Sequence, residues 1–183
     1  MTMHKLNLIS LLTISCMVLV TACGQETSQQ TDADADSQTI SDGVSESDTS
    51  SPRVSSKVMP LSSKVGDSVV IEVNMENFPA TEGGGINVSF NPDVIHINSI
   101  KVDDTWDFAH QAGVIDNQAG TVTDILFSSF ASPGGSINIA TINATVVGTG
   151  ASPIAIIESN KNPFAAQGAR VVVEFEANTL QIN

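Results

Sequence analysis

Three sets of side chains in this sequence could support chemistry. His96 and His110 bracket Asp103, Asp104 and Asp107, a mix of imidazole and carboxylate donors of the kind that holds zinc or calcium. Two histidines need all the carboxylate help available, and the blander reading is a strand-surface His96 beside a solvated acidic loop. No metal is assigned. Trp106, within Asp104-Thr105-Trp106-Asp107-Phe108, is the candidate ligand-binding residue, because sugar faces stack on flat rings and the chain has one Trp, no Tyr and seven Phe. Its alternative is a loop tryptophan folded over the end of the domain. For nucleophilic catalysis there is no Gly-x-Ser-x-Gly elbow and no arrangement that nominates a Ser-His-Asp set. Paired glycosidase carboxylates have no motif behind them. The chain reads as a non-enzyme without a cofactor.

The other reactive group is the Cys23 thiol. His4 and Lys5 form a short positive region, residues 6–20 an apolar run, and Val20-Thr21-Ala22-Cys23 a small-residue cleavage box. This junction resembles the lipobox of bacterial lipoprotein signal peptides, which implies cleavage before Cys23 and acylation of its thiol. With Gly24 rather than Asp following, the resemblance implies sorting to the outer membrane. The apolar run is shorter than the roughly 20 residues of a spanning helix. No Lys or Arg follows until Arg53, so a stop-transfer pattern is missing. Cys16 is a poorer acceptor, since Met17-Val18-Leu19-Val20 continue the apolar run after it.

Removing residues 1–22 leaves roughly 160 residues, enough for one domain with a real core plus a tail. The sequence holds two cysteines, Cys16 and Cys23, so processing leaves no pair for a disulfide. A formal net charge of -13, with seven Lys and Arg, argues against nucleic acid, whose phosphates must be neutralised by cations. It also disfavours attraction to anionic headgroups. Membrane attachment would come from the acyl chains on Cys23, at about 0.8 kcal/mol per buried methylene.

Residues 23–51 are rich in Ser, Thr, Gln and Asp, without a basic or aromatic residue. Such a segment buries too little apolar surface to offset its ordering entropy and is expected to be a disordered, self-repelling tether. Asp32, Asp34 and Asp36 alternate like the opening of an EF-hand calcium loop. Ser37 at the sixth position and Gly43 at the twelfth break that pattern.

Residues 52–183 change texture to short β-branched runs separated by Gly, Pro, Asn and Asp. Val69, Ile71, Val73 and Met75 alternate with wetter residues, as do Ala140, Ile142, Ala144 and Val146. Further strands are expected at 54–59, 85–90, 94–102, 121–128, 137–147, 154–157, 170–175 and 179–182. The apolar phase flips between Ile95/Ile97 and Ile100/Val102, which predicts a bulge near Asn98. The spacing suits an all-β sandwich.

Val65-Gly66-Asp67-Ser68, Phe90-Asn91-Pro92-Asp93-Val94-Ile95 and Ile139-Ala140-Thr141-Ile142-Asn143-Ala144-Thr145-Val146 occur in order. Together with Thr179-Leu180-Gln181-Ile182 they resemble the cohesin domain over about 54–183, with Asn91 where an Asp is usual. The resemblance implies a nine-stranded jelly-roll related to cellulose-binding modules. It also implies a dockerin partner, a calcium-loaded module gripped by one face of the sandwich. Where polar side chains help make that contact, this chain has Gly83, Gly84 and Gly85, which offer only backbone. The expected function is a surface-tethered, non-catalytic adaptor in extracellular polysaccharide binding or breakdown, with a dockerin-like or other protein as partner. The alternatives are a carbohydrate-binding module acting through Trp106 and a structural envelope lipoprotein.

Overall fold

The computed structural model describes residues 50–61 and 63–183. Cys23, Cys16 and the aspartates at 32–36 lie outside the described residues. Along the chain the strands are β1 (Arg53–Met59), β2 (Ser68–Phe78), β3 (Gly83–Ser89), β4 (Ile95–Val102), β5 (Phe108–Asp116) and β6 (Thr121–Ser128). They continue as β7 (Gly135–Val146), β8 (Gly150–Glu158), β9 (Ala165–Ala166), β10 (Ala169–Arg170), β11 (Glu174–Phe175) and β12 (Asn178–Ile182). Nine of these have five residues or more and three have only two, so the expected nine-stranded jelly-roll sandwich is present with three short bridging pieces. There is no helix among the described residues, hence none long and apolar enough to cross a membrane.

One sheet runs β11-β1-β2-β7-β4 and the other β10-β9-β3-β6-β5, with β8 also on β3 and β12 on β8. Strand alternation explains why they face each other. Val69, Ile71, Val73 and Met75 of β2 are all 0% exposed, and each such burial contributes about 1.5–3 kcal/mol. Beside them Ala140, Ile142, Ala144 and Val146 of β7 point the same way. Ile86, Val122, Ile125, Phe127, Ile154, Leu180 and Ile182 close the core from the second sheet.

The ladder between β4 and β7 shifts register between Ile97 and Ser99, so the expected bulge falls on Asn98. It turns Ile95, Ile97 and Val102 to one core despite their opposite parity. The Asn91 corner also forms as expected. Its side-chain oxygen accepts the Asp93 amide at 3.0 Å, while its Nδ2 donates to the Ala151 carbonyl at 3.0 Å and binds the corner to β8.

Two strand expectations are corrected. The run 170–175 is not one strand: Ala169–Arg170 pairs with β9, and Glu174–Phe175 pairs in parallel with β1. Its valines bridge the two sheets, with the Val171 amide held by the Phe164 carbonyl at 2.8 Å. Strand β5 was not expected at all. It is an edge strand with six of its nine residues exposed, broken by Gly113 at φ 103°, so it carries almost no burial pattern to read.

Candidate functional site

The outward faces of the two sheets differ in chemistry. The β1-β2-β7-β4 sheet presents Lys57, Glu72, Asn74, Thr141, Asn143, Thr145, His96 and Lys101, a polar surface with Met59 and Val70 paired at one end. On the opposite sheet Val114 of β5 is 56% exposed and Ile157 of β8 61%. Phe108 opens β5 at 41% exposure, and Phe130, just past β6, is 89% exposed. Isolated surface apolar residues need no explanation; these four stand on or beside one sheet face.

At the centre of this face lies the glycine run of β3. One edge of β3 pairs with β6, and the other pairs with β8 at 86–89 and with β9 at Gly83. Between β8 and β9 the chain bulges, and the glycines make room for that bulge. A Cβ on Gly84 would lie 2.6 Å from Phe164 Cδ1, a ring that is 0% exposed. A Cβ on Gly85 would meet Leu126 Cδ2 at 2.7 Å and the Asn162 carbonyl at 3.1 Å. The Asn162 side-chain amide donates to the Gly84 and Phe127 carbonyls at 2.9 and 3.2 Å.

Asp124 secures the same loop from β6. It sits at φ 62°, where the ladder between β3 and β6 slips, and its amide donates to Asn87 Oδ1 at 2.7 Å. Its carboxylate accepts the Ser159 hydroxyl at 2.8 Å and the Lys161 ammonium at 2.6 Å. Lys161 and then Ser159 hold the Asp124 carboxyl below the usual carboxylate range.

An aromatic corner closes one end of the face. Phe108 and Phe130 meet edge to face with centroids 5.2 Å apart, and His110 lies nearly parallel to Phe108 at 5.9 Å. His110 Nε2 and Ser128 Oγ are 2.7 Å apart. Asp107 presents Phe130 to solvent by accepting the Ser129 hydroxyl at 2.9 Å and the Phe130 amide at 2.8 Å. Those two donors hold the Asp107 carboxyl below its ordinary range. Beside the corner are cavities of about 420 and 370 Å³ that share Glu82 and Ser128.

No protein-family model matches the chain, and no curated protein matches it. Solved structures do. A non-cellulosomal cohesin from the archaeon Archaeoglobus fulgidus superposes with a TM-score of 0.59 at 10% identity, covering 73% of this chain and 92% of that one. The sixth cohesin of scaffoldin B from Acetivibrio cellulolyticus, solved with a dockerin, gives 0.58 at 14% identity over 73% and 100% of the two chains. A type I cohesin–dockerin complex from Clostridium thermocellum gives 0.56 at 12%, over 72% and 99%.

The chain has the cohesin fold.

Within that cohesin fold the residues singled out from sequence separate. Trp106 is 4% exposed, tilted against Phe127 with centroids 4.4 Å apart, and its Nε1 donates to the Asn138 carbonyl at 3.2 Å. This corrects its candidacy as a sugar platform: the indole fills one end of the sandwich and turns no face outward. His96 stands on β4 opposite Thr145 and His110 on β5, so the histidines occupy different sheets. Asp103 caps the Thr105 amide at 2.9 Å, and Asp104 pairs with Lys101 at 2.7 Å. The described residues contain no group of three or more His, Cys, Asp or Glu placed to hold a metal.

Sequence reading missed Asp124 and Phe130. Their signals were an aspartate interrupting the β-branched run Thr121-Val122-Thr123-Asp124-Ile125, and a phenylalanine in the loop Ser128-Ser129-Phe130-Ala131-Ser132-Pro133 with no apolar period to bury it.

Proposed function

We propose that this chain is a non-catalytic adaptor module that binds a protein partner on the outward face of β5, β6, β3 and β8. The observation that carries it is where strands expose large apolar side chains: Phe108, Val114 and Ile157 lie on this face with Phe130 just past β6, whereas the outward face of the opposite sheet is mainly polar and Leu61, Val65, Val147 and Val172 are exposed in the connections between strands. Interfaces bury apolar and aromatic anchors inside a polar rim, and Thr121, Thr123, Asn87 and Ser128 surround these. The dockerins in the solved cohesin complexes make a dockerin-like protein the first partner to try. A lipid on Cys23 would hold the module at the cell envelope, with residues 24–51 as spacer; the lipobox likeness supports this part. With Trp106 inside, the carbohydrate reading loses the residue that motivated it.

The test is capture by the full chain from envelope and secreted extracts, with and without a calcium chelator, repeated with Val114→Glu and Ile157→Glu. A protein identified by mass spectrometry, shown to bind the purified chain directly and lost with both variants but not with Lys57→Glu, supports the reading. Each charge placed in an interface core should weaken binding by roughly 1–2 kcal/mol or more. Capture that ignores both variants, or no capture at all, would sink it.

A further inference from the structure

The Glu82 carboxylate lines both cavities beside the aromatic corner. Its acceptors receive the Gly168 amide at 3.1 and 3.3 Å, and it takes part in none of the ion pairs among the described residues. Of the two basic residues in the lining, Lys161 is already paired with Asp124 at 2.6 Å and His110 Nε2 meets Ser128 Oγ at 2.7 Å. Next to Glu82 stands Phe130, 89% exposed and so with a free ring face. Gly83 and Ser128 line the space, and Gly83 carries no side chain because a Cβ there would meet the Phe127 carbonyl at 2.5 Å. A carboxylate without a cation, an aromatic face and room for a side chain together suit one chemistry, a positive charge that pairs with the first and stacks on the second.

We propose that this double cavity seats a cationic side chain, Arg or Lys, presented by the protein partner. The proposal rests on the reading of this face as the interface and adds the partner's chemistry. Arg fits best, because its planar guanidinium can fork onto Glu82 while lying over Phe130. A partner anion would meet Glu82 with the Lys161 charge already spent on Asp124.

The test needs no partner. The full chain, isotope-labelled for amide NMR, is titrated with N-acetyl-arginine methylamide, its neutral near-isostere N-acetyl-citrulline methylamide, and a methyl glucoside. Arginine should shift the amides of Glu82, Gly83, Ser129, Phe130 and Gly168, with citrulline binding roughly five- to tenfold more weakly. Glu82→Gln keeps an acceptor for the Gly168 amide and should abolish the preference. Phe130→Ala should weaken arginine about two- to fivefold. Equal binding of both probes, a preference that survives Glu82→Gln, glucoside shifts without arginine shifts, or no shifts would each overturn the proposal. Arginine selectivity without any captured protein would instead remove the adaptor reading and keep the cation seat.

Discussion

The Lys161 ammonium lies 2.6 Å from Asp124 Oδ2, so a loop residue between β8 and β9 is tied to β6 across the whole width of β3. The pair is uneven, with the Asp124 side chain 15% exposed and that of Lys161 65%. Asp124 is therefore the better-shielded end, and the Lys161 end is open to screening by salt. The tie shapes the candidate interface, because the loop it holds floors the cavity beside Glu82.

Asp124→Asn tests that tie. Asparagine tolerates the left-handed backbone and can still accept the Ser159 hydroxyl, so the fold should persist. Amide exchange at Lys161 and Asn162 should become faster than in the parent while the core strands stay protected. Unchanged exchange at both would show that the glycine packing alone holds the loop.

Acid should loosen the same face. Both Asp107 and Asp124 have carboxyls held below their ordinary range. Their stabilisation is therefore complete above the unfolded-state value of about 3.9 and is lost as pH falls through the lower folded-state values. In urea melts the parent should exceed Asp107→Asn/Asp124→Asn in stability at pH 7, with the gap closing below about pH 4. A gap independent of pH would mean that ionisation is not what the two residues contribute.

Gly84 and Phe164 should behave as one packing unit. Gly84→Ala places a methyl 2.6 Å from the buried ring and should cost about 1–3 kcal/mol by overpacking. Phe164→Ala should cost about 3–5 kcal/mol. The double variant should cost less than the sum, a coupling readable in a double-mutant cycle. Additive losses would disprove the contact.

Trp106 supplies an intrinsic probe. As the single tryptophan, buried against Phe127, it should emit at short wavelength when folded and shift red on unfolding. Trp106→Ala should destabilise the chain by about 3–5 kcal/mol. Quenching or shifting of the folded emission by soluble glycans would contradict the buried placement.

Asn91 gives a test of local chemistry. Asn91→Asp installs the residue usual in cohesins, yet here it replaces the Nδ2 donor to the Ala151 carbonyl with an acceptor. The exchange should cost about 0.5–1.5 kcal/mol, measured by denaturant unfolding. A neutral or stabilising effect would show that the corner repacks.

The sequence was enough for the strands whose two faces meet different environments. From Val69 to Met75 in β2 and from Ala140 to Val146 in β7 every second residue is buried, so burial energy acts with a two-residue period and is legible in one dimension. The flip of phase between Ile97 and Ile100 likewise required a bulge, because a core on one side admits only one parity. Edge strand β5 has no such constraint, and 170–175 passes from one sheet to the other with Val172 84% exposed, so neither could be read. The candidate interface depended on tertiary structure altogether. Asp124 and Lys161 are 37 residues apart, and Glu82 joins Phe130 only because β3 and β6 pair. What Gly83, Gly84 and Gly85 leave out has meaning only through Phe164 and Asn162, which a closing loop brings to them. Periodicity reports how one strand divides between core and water; which residues share a surface is set by strand order and register, and these arise from the packing of the whole sandwich.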